Sequence, residues 1–238
     1  MDVVTPHPEL TGPSSAPAAA PIPALENGDR LTRAEFERRY DAMPEIKKAE
    51  LIEGQVYMGP PVRHRQHGKP HLLINGWLAA YIAATRGVEG GDNGSIRLDD
   101  ANMLQPDAYL MIDRSHGGRA TISADDYVEG APELVAEIAA SSVSVDLGKK
   151  LEVYRRNGVR EYFVWRVQDQ QVDWFVLRDG RYEALTQSSG GLVRSEAFPG
   201  LWLDVPALLG GDLATVLARG QEGLNSVEHA AFVAPLRG

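Results

Sequence analysis

The chain has 238 residues, of which 43% are hydrophobic, enough to bury the core of one large domain or two small ones. Its 33 acidic residues outweigh 24 basic ones, and a formal charge of -9 argues against a protein that coats nucleic acid, though not against a local basic surface. Cysteine is absent, which excludes disulfides and thiolate metal sites, and no segment approaches the roughly 20 apolar residues that cross a bilayer.

Residues 1–28 are rich in Pro, Ala and Ser, with no hydrophobic periodicity and no basic region leading into an apolar run, so a disordered tail on a soluble, cytoplasmic protein is expected. Order is expected to begin at "LTRAEFERRYDAM", where Thr32 and Glu35 make a capping box and Phe36 and Tyr40 share one helix face. "AELIEGQVYM" reads as strand with a turn at Gly54, and "PHLLINGWLAAYIAAT" as a helix opened by Pro70 and closed near Gly87. "NGSIRLDDANMLQPDAYLMI" supplies two strands, and "APELVAEIAA" a central one that is apolar on both faces except at Glu137. "SSVSVDLGKKLEVYRRNG" is a helix with Ser144 as N-cap and Asn157-Gly158 as its stop. "REYFVWRV", "QVDWFVL" and "RYEAL" form a meander, and "FPGLWLDVPALLGGDLATVLARGQEGL" an edge segment followed by a short helix. Residues 29–222 read as one α/β domain with helices flanking a mixed sheet, followed by a C-terminal tail at 223–238.

Three charged residues stand out against this background. Strand alternation puts Asp107 on one face with Tyr109 and Met111, and Glu137 on one face with Val135 and Ala139. If the two strands are neighbours, the two carboxylates converge, repel each other, and call for a hard divalent ion such as Mg²⁺ or Mn²⁺. On the following helix, counted at about 100° per residue from Leu147, Leu151 and Tyr154 fall near 40° and 340°, Lys150 near 300°, and Lys149 and Arg156 near 200° and 180°. Lys150 therefore points inward and Lys149 outward, with Asp146 one turn earlier able to orient the Lys150 ammonium. An inward lysine beside a metal-binding carboxylate pair suits phosphodiester hydrolysis, in which the metal lowers the pKa of a water and the ammonium steadies the phosphorane charge. Structural alternatives stand beside this reading. Asp107 after Pro106 also fits a turn or a strand cap, Glu137 a buried ion pair, and Lys150 a lysine that snorkels to solvent.

The ordered series "AELIEGQV", "QPDAYL", "ELVAEIAASSVSVDLGKKLEVYRRNGVREYFVWRV" and "FPGLWLDV" resembles the Uma family of restriction-endonuclease-like proteins, within the PD-(D/E)XK nuclease superfamily. The resemblance spans about residues 31–210 and implies a mixed sheet flanked by helices with the ligands at one end. It implies that Asp107 and Glu137 are metal ligands, that Glu50, or Glu53 as the near alternative, is a further acid, and that Asp146, Lys150 and Tyr154 stand at four-residue steps along the helix. The superfamily's lysine two residues after the second acid is replaced here by Ala139, and the resemblance implies that Lys150 takes over that role. His67, with His64 and His71 as near alternatives, resembles the histidine that the family often carries before its second helix.

A nuclease also needs basic surface for phosphates, for which Arg63, Arg65, Lys69, Lys149, Arg155 and Arg156, with Arg38, Arg39, Lys47 and Lys48, are candidates, alternatively ordinary solvated charges. No sequence-reading module is recognisable. The expectation is a Mg²⁺- or Mn²⁺-dependent DNA endonuclease, dimeric as many nucleases of this fold are. Against it stands a catalytically weak or inactive nuclease-fold module that binds DNA or protein, favoured if Lys150 does not reach the metal. A hydrolase of small phosphate esters would instead require a closed pocket.

Overall fold

The computed structural model describes Met1 and residues 21–237, so most of the expected N-terminal tail lies outside the described residues. The chain forms, in order, α1 (Arg33–Asp41), β1 (Ala49–Ile52), β2 (Gln55–Met58), a π-helical turn (His64–Gly68), α2 (Lys69–Ala84), β3 (Val88–Asp92), β4 (Ile96–Asp99), β5 (Asn102–Leu104) and β6 (Ala108–Ile112). Then follow β7 (Thr121–Ile122), β8 (Val128–Glu129), β9 (Leu134–Ala139), α3 (Val143–Val145), a second π-helical turn (Asp146–Lys150) and α4 (Leu151–Asn157). The remainder comprises β10 (Glu161–Arg166), β11 (Gln171–Arg178), β12 (Arg181–Ala184), β13 (Leu192–Arg194), β14 (Trp202–Asp204), α5 (Val205–Gly210), α6 (Leu213–Leu224) and α7 (Val227–Val233).

The central mixed sheet runs β12-β11-β10-β9-β6-β3, with β9 and β10 parallel and the other pairs antiparallel. A second mixed sheet runs β2-β1-β5-β4-β8-β7, and β13 pairs with β14. The α/β class expected from the sequence is therefore the one observed, with the strands divided between two large sheets. One face of the central sheet packs Leu110, Ala136, Ile138 and Phe163 against α2 and the C-terminal helices. There Trp77 meets Trp174 edge-on at 5.6 Å, and its indole N–H donates to the Trp202 carbonyl (2.9 Å). The other face packs Tyr109, Met111, Val135 and Val164 against Val153 and Tyr154 of α4 and against Ile52 and Leu104 of the second sheet. Chemistry gathers at the rim of this second core.

Several local expectations need correction. Residues 25–28 belong to the fold: Leu25 is buried among Phe36, Leu51 and Val56, and the Gly28 N–H donates to the Val56 carbonyl (2.9 Å). At the other end, residues 227–236 form α7 and a following turn rather than a tail, burying His229, Val233 and Leu236. The N-terminal stretch of the helix after β9 starts at Val143 behind Ser142, so Ser144 is not its cap; the Ser142 hydroxyl donates instead to Asp146 (2.5 Å). Three strands, not two, lie between residues 94 and 112. The capping box holds in half: Thr32 accepts from the Glu35 N–H at 3.4 Å, while the Glu35 carboxylate turns to Arg38 and Arg39.

A candidate active site built from four acids and two lysines

β6 and β9 are antiparallel neighbours, with Ala108 opposite Ala136, so Asp107, one residue before β6, comes to lie beside Glu137 and Ile138. Pro106 ahead of Asp107 supplies no N–H to the ladder, and the strand pairing begins one residue after the acid. The Asp107 carboxylate instead caps its neighbour, accepting the Ile138 N–H on Oδ2 (2.8 Å). Its Oδ1 faces the Lys48 ammonium at 3.0 Å and His67 Nε2 at 3.2 Å. Burial works against ionisation of Asp107, but the His67 hydrogen bond, the Lys48 charge and the Ile138 N–H outweigh it and hold the carboxyl well below the usual range.

Glu137 is in the opposite situation. It is 3% exposed, and its two side-chain hydrogen bonds among the described residues fall on Oε1, from Lys150 Nζ (2.8 Å) and from the Tyr154 hydroxyl (3.0 Å). Burial pushes its pKa up, Lys150 opposes this, and the carboxylates of Asp146, Asp107 and Glu50 add to the rise. Lys150 also reaches Glu50 Oε1 (2.9 Å) and Asp146 Oδ1 (3.7 Å). Burial disfavours its ammonium, yet Glu137, Glu50 and Asp146 together hold it protonated well above the ordinary lysine range. Glu50 arrives from β1, its Oε1 also accepting the Gln105 N–H (2.8 Å) just ahead of Pro106. Segments distant in sequence thus converge on one group of buried charges.

The structure sorts the sequence candidates. Glu50, Asp107, Glu137, Asp146, Lys150 and Tyr154 meet, and His67 joins them through Asp107. Glu53 does not: it sits exposed in the β1–β2 turn at φ 53° and pairs with Arg156 (3.0 Å). Lys149 points outward onto Tyr57, its Nζ 2.9 Å from the hydroxyl, as the helix-face argument requires. Arg155 pairs with Glu152, while Arg63, Arg65 and Lys69 are exposed around the first π-helical turn. Both π-helical turns carry residues of this group, His67 on one and Asp146 and Lys150 on the other.

Sequence reasoning did not single out Gln105, and it named Lys48 only as basic surface and His71 only as a neighbour of His67. Lys48 was within reach, because it stands two residues before Glu50 and strand alternation sends both to one side. His71, whose Nε2 contacts the Asp107 carbonyl (2.7 Å) and Asp92 (2.9 Å), shows only in three dimensions. Among the described residues no three His, Asp or Glu side chains form a ready metal-ligand group. Lysines stand between the acids. The oxygen-only donor set of Glu50, Asp107 and Glu137 nevertheless has the chemistry that suits Mg²⁺ or Mn²⁺.

Comparison with known proteins agrees with this architecture. Residues 33–206 match the Uma2 family, described as "Putative restriction endonuclease", and the chain belongs to that family. A solved structure described as a putative nuclease of the DUF820 family from Anabaena variabilis superposes with a TM-score of 0.56, covering 73% of this chain and 97% of that one. At 14% identity that likeness concerns the fold alone. No curated protein matches this chain. Among the described residues no helix is long and apolar enough to cross a membrane.

Proposed function

We propose that this protein is a cytoplasmic, Mg²⁺- or Mn²⁺-dependent endonuclease that hydrolyses phosphodiester bonds of DNA. The observation that carries the reading is the convergence of Glu50, Asp107, Glu137 and Lys150 from separate elements at one rim of the central sheet. Family membership supports the nuclease class. Glu50, Asp107 and Glu137 are the residues that would hold the cation, which when bound supplies Lewis-acid activation of water and neutralises charge on the scissile phosphate. Within the protein, Tyr154 and Lys150 fix the Glu137 carboxylate, and the Ile138 N–H fixes that of Asp107. Lys150 additionally joins Glu50 to Glu137, which keeps both acids aimed at the same space. We expect two copies to pair so that both strands are cut, which sedimentation tests.

A second reading, a weak or inactive nuclease fold serving as a DNA- or protein-binding module, is favoured by two observations. The position two residues after Glu137 is the buried Ala139, and Lys150 is enclosed by carboxylates. Plasmid nicking with Mg²⁺ or Mn²⁺, run beside isothermal titration of each metal into wild type and Asp107→Ala, separates the two. Metal-dependent nicking with binding lost in the variant supports the nuclease; binding without nicking supports the module.

A further inference from the structure

We propose that Lys48 is the ammonium that meets the substrate phosphate, and that nucleic acid reaches the site from the side of Lys48 and the Arg63–Lys69 segment. The proposal rests on the nuclease reading and assigns the direction of approach within it. Two lysines serve the acids, and they differ in what they can release. The Lys150 side chain is 5% exposed and faces three carboxylates, so a new contact with phosphate would strip Glu50, Glu137 and Asp146 of their shared cation. The Lys48 side chain is 31% exposed, and its one ion pair among the described residues is with Asp107. Asp107 can yield it without being orphaned, because His67 Nε2 at 3.2 Å and the Ile138 N–H at 2.8 Å remain.

Charge on the two flanks points the same way. His67 ties Asp107 to the segment that carries Arg63, Arg65 and Lys69, all exposed and without an ion pair among the described residues. Lys47 is exposed next to Lys48, and Asp92 is engaged by His71 (2.9 Å). On the α4 flank Arg156 pairs with Glu53 and Arg155 with Glu152 and the Gly180 carbonyl, while Lys149, without an ion pair among the described residues, donates to Tyr57 and Gln55. In a chain of formal charge -9, unpaired cations gathered on one side of a site are the feature a polyanion would find.

The test measures duplex oligonucleotide affinity against salt, with Ca²⁺ in place of Mg²⁺, for wild type, Lys48→Met, Lys48→Arg and Lys149→Met, beside plasmid nicking with Mg²⁺. Circular dichroism confirms folding, and Lys48→Arg keeps the charge should Lys48→Met unfold. Lys48→Met is expected to lower the slope of log affinity against log salt by about 0.9 and to slow nicking about 100-fold. Lys48→Arg retains the slope, and Lys149→Met leaves it as in wild type. Nicking by wild type with equal slopes for Lys48→Met and wild type overturns the proposal and spares the nuclease reading. A slope that depends on Lys48 without nicking by wild type keeps the assigned side of nucleic-acid approach and overturns the nuclease reading. Equal losses in Lys48→Met and Lys149→Met overturn the assigned side, and no duplex binding by wild type overturns the proposal itself.

Discussion

Glu137 and Glu161 lie on adjacent parallel strands, at 3% and 0% exposure, yet the fold treats them differently. Glu161 accepts from four neutral donors, Trp174 Nε1 (3.0 Å), the Ser195 hydroxyl (2.8 Å) and the N–H groups of Glu196 (2.6 Å) and Ala197 (2.8 Å). That carboxylate pins the segment before β14 to the sheet, and no other charge is required to satisfy it. Glu137 is crowded instead by Asp107, Glu50 and Asp146, and its compensation comes from the Lys150 ammonium. A buried acid held by backbone and indole donors is a rivet. One held by a lysine among other acids is a charge balance that a different cation can enter, which is why function is assigned to the Glu137 side of the sheet.

The strongest way to break this comparison is Lys150→Met. It leaves Glu50, Glu137 and Asp146 buried without their shared cation, and removing one partner of a buried pair costs about 3–5 kcal/mol. The melting temperature should fall by roughly 10 °C, and Mg²⁺ or Mn²⁺ should recover more of the loss than it adds to wild type, as read by thermal melts with and without metal. A variant as stable as wild type would show that the acids do not depend on Lys150. Glu161→Ala comes next. It strands four donors, of which only the Glu196 N–H is part-buried rather than buried, for a cost of about 3 kcal/mol. Metal should not rescue it, and rescue would erase the distinction between the two acids.

Glu137→Gln should change stability by about 1 kcal/mol or less, because Lys150 retains Glu50 and Asp146 and one source of carboxylate repulsion is gone. Titration calorimetry should nevertheless show metal affinity reduced at least about tenfold, since the amide keeps the shape of the ligand without its charge. Unchanged affinity would remove Glu137 from the proposed ligand set.

How far the site could be read in advance follows from the kind of information each residue needed. Asp107, Glu137 and Lys150 were accessible because strand alternation and the helical wheel fix facing, and the observed pairing of β6 with β9 supplies the one missing link. Glu50 and Glu53 could not be separated by periodicity alone, since the choice depends on where the β1–β2 turn falls. Strand β3 was illegible: "VEGGD" has no strand signature, and its Gly91 is needed because the Tyr109 ring lies where a Cβ would stand. Helix α7, expected as tail, has Ser226 accepting from the His229 N–H (3.2 Å), and its burial depends on contacts such as that between His229 and Thr85 (2.9 Å), 144 residues apart. The docking of Leu25 under α1 is similarly a tertiary fact in a stretch whose composition reads as tail.

The smallest effect tests the electrostatics of the neighbouring acids directly. Asp107 has a folded-state pKa below its ordinary 3.8, so its stabilising contribution is present above that pH and is lost as pH falls through the depressed value. Glu137 has a folded-state pKa above its ordinary 4.5, so its contribution is complete below 4.5 and is lost as pH rises through the raised value. Glutamine at position 137 removes the second loss and leaves the first. The melting temperature of Glu137→Gln relative to wild type should therefore climb between about pH 5 and about pH 8, by roughly 2–4 °C, which corresponds to about 1 kcal/mol in a domain of this size. A difference that stays flat across that range would mean that Glu137 is ionised throughout, so that attraction to Lys150 outweighs burial and the neighbouring acids. The contrast with Glu161 would then rest on the identity of the donors alone.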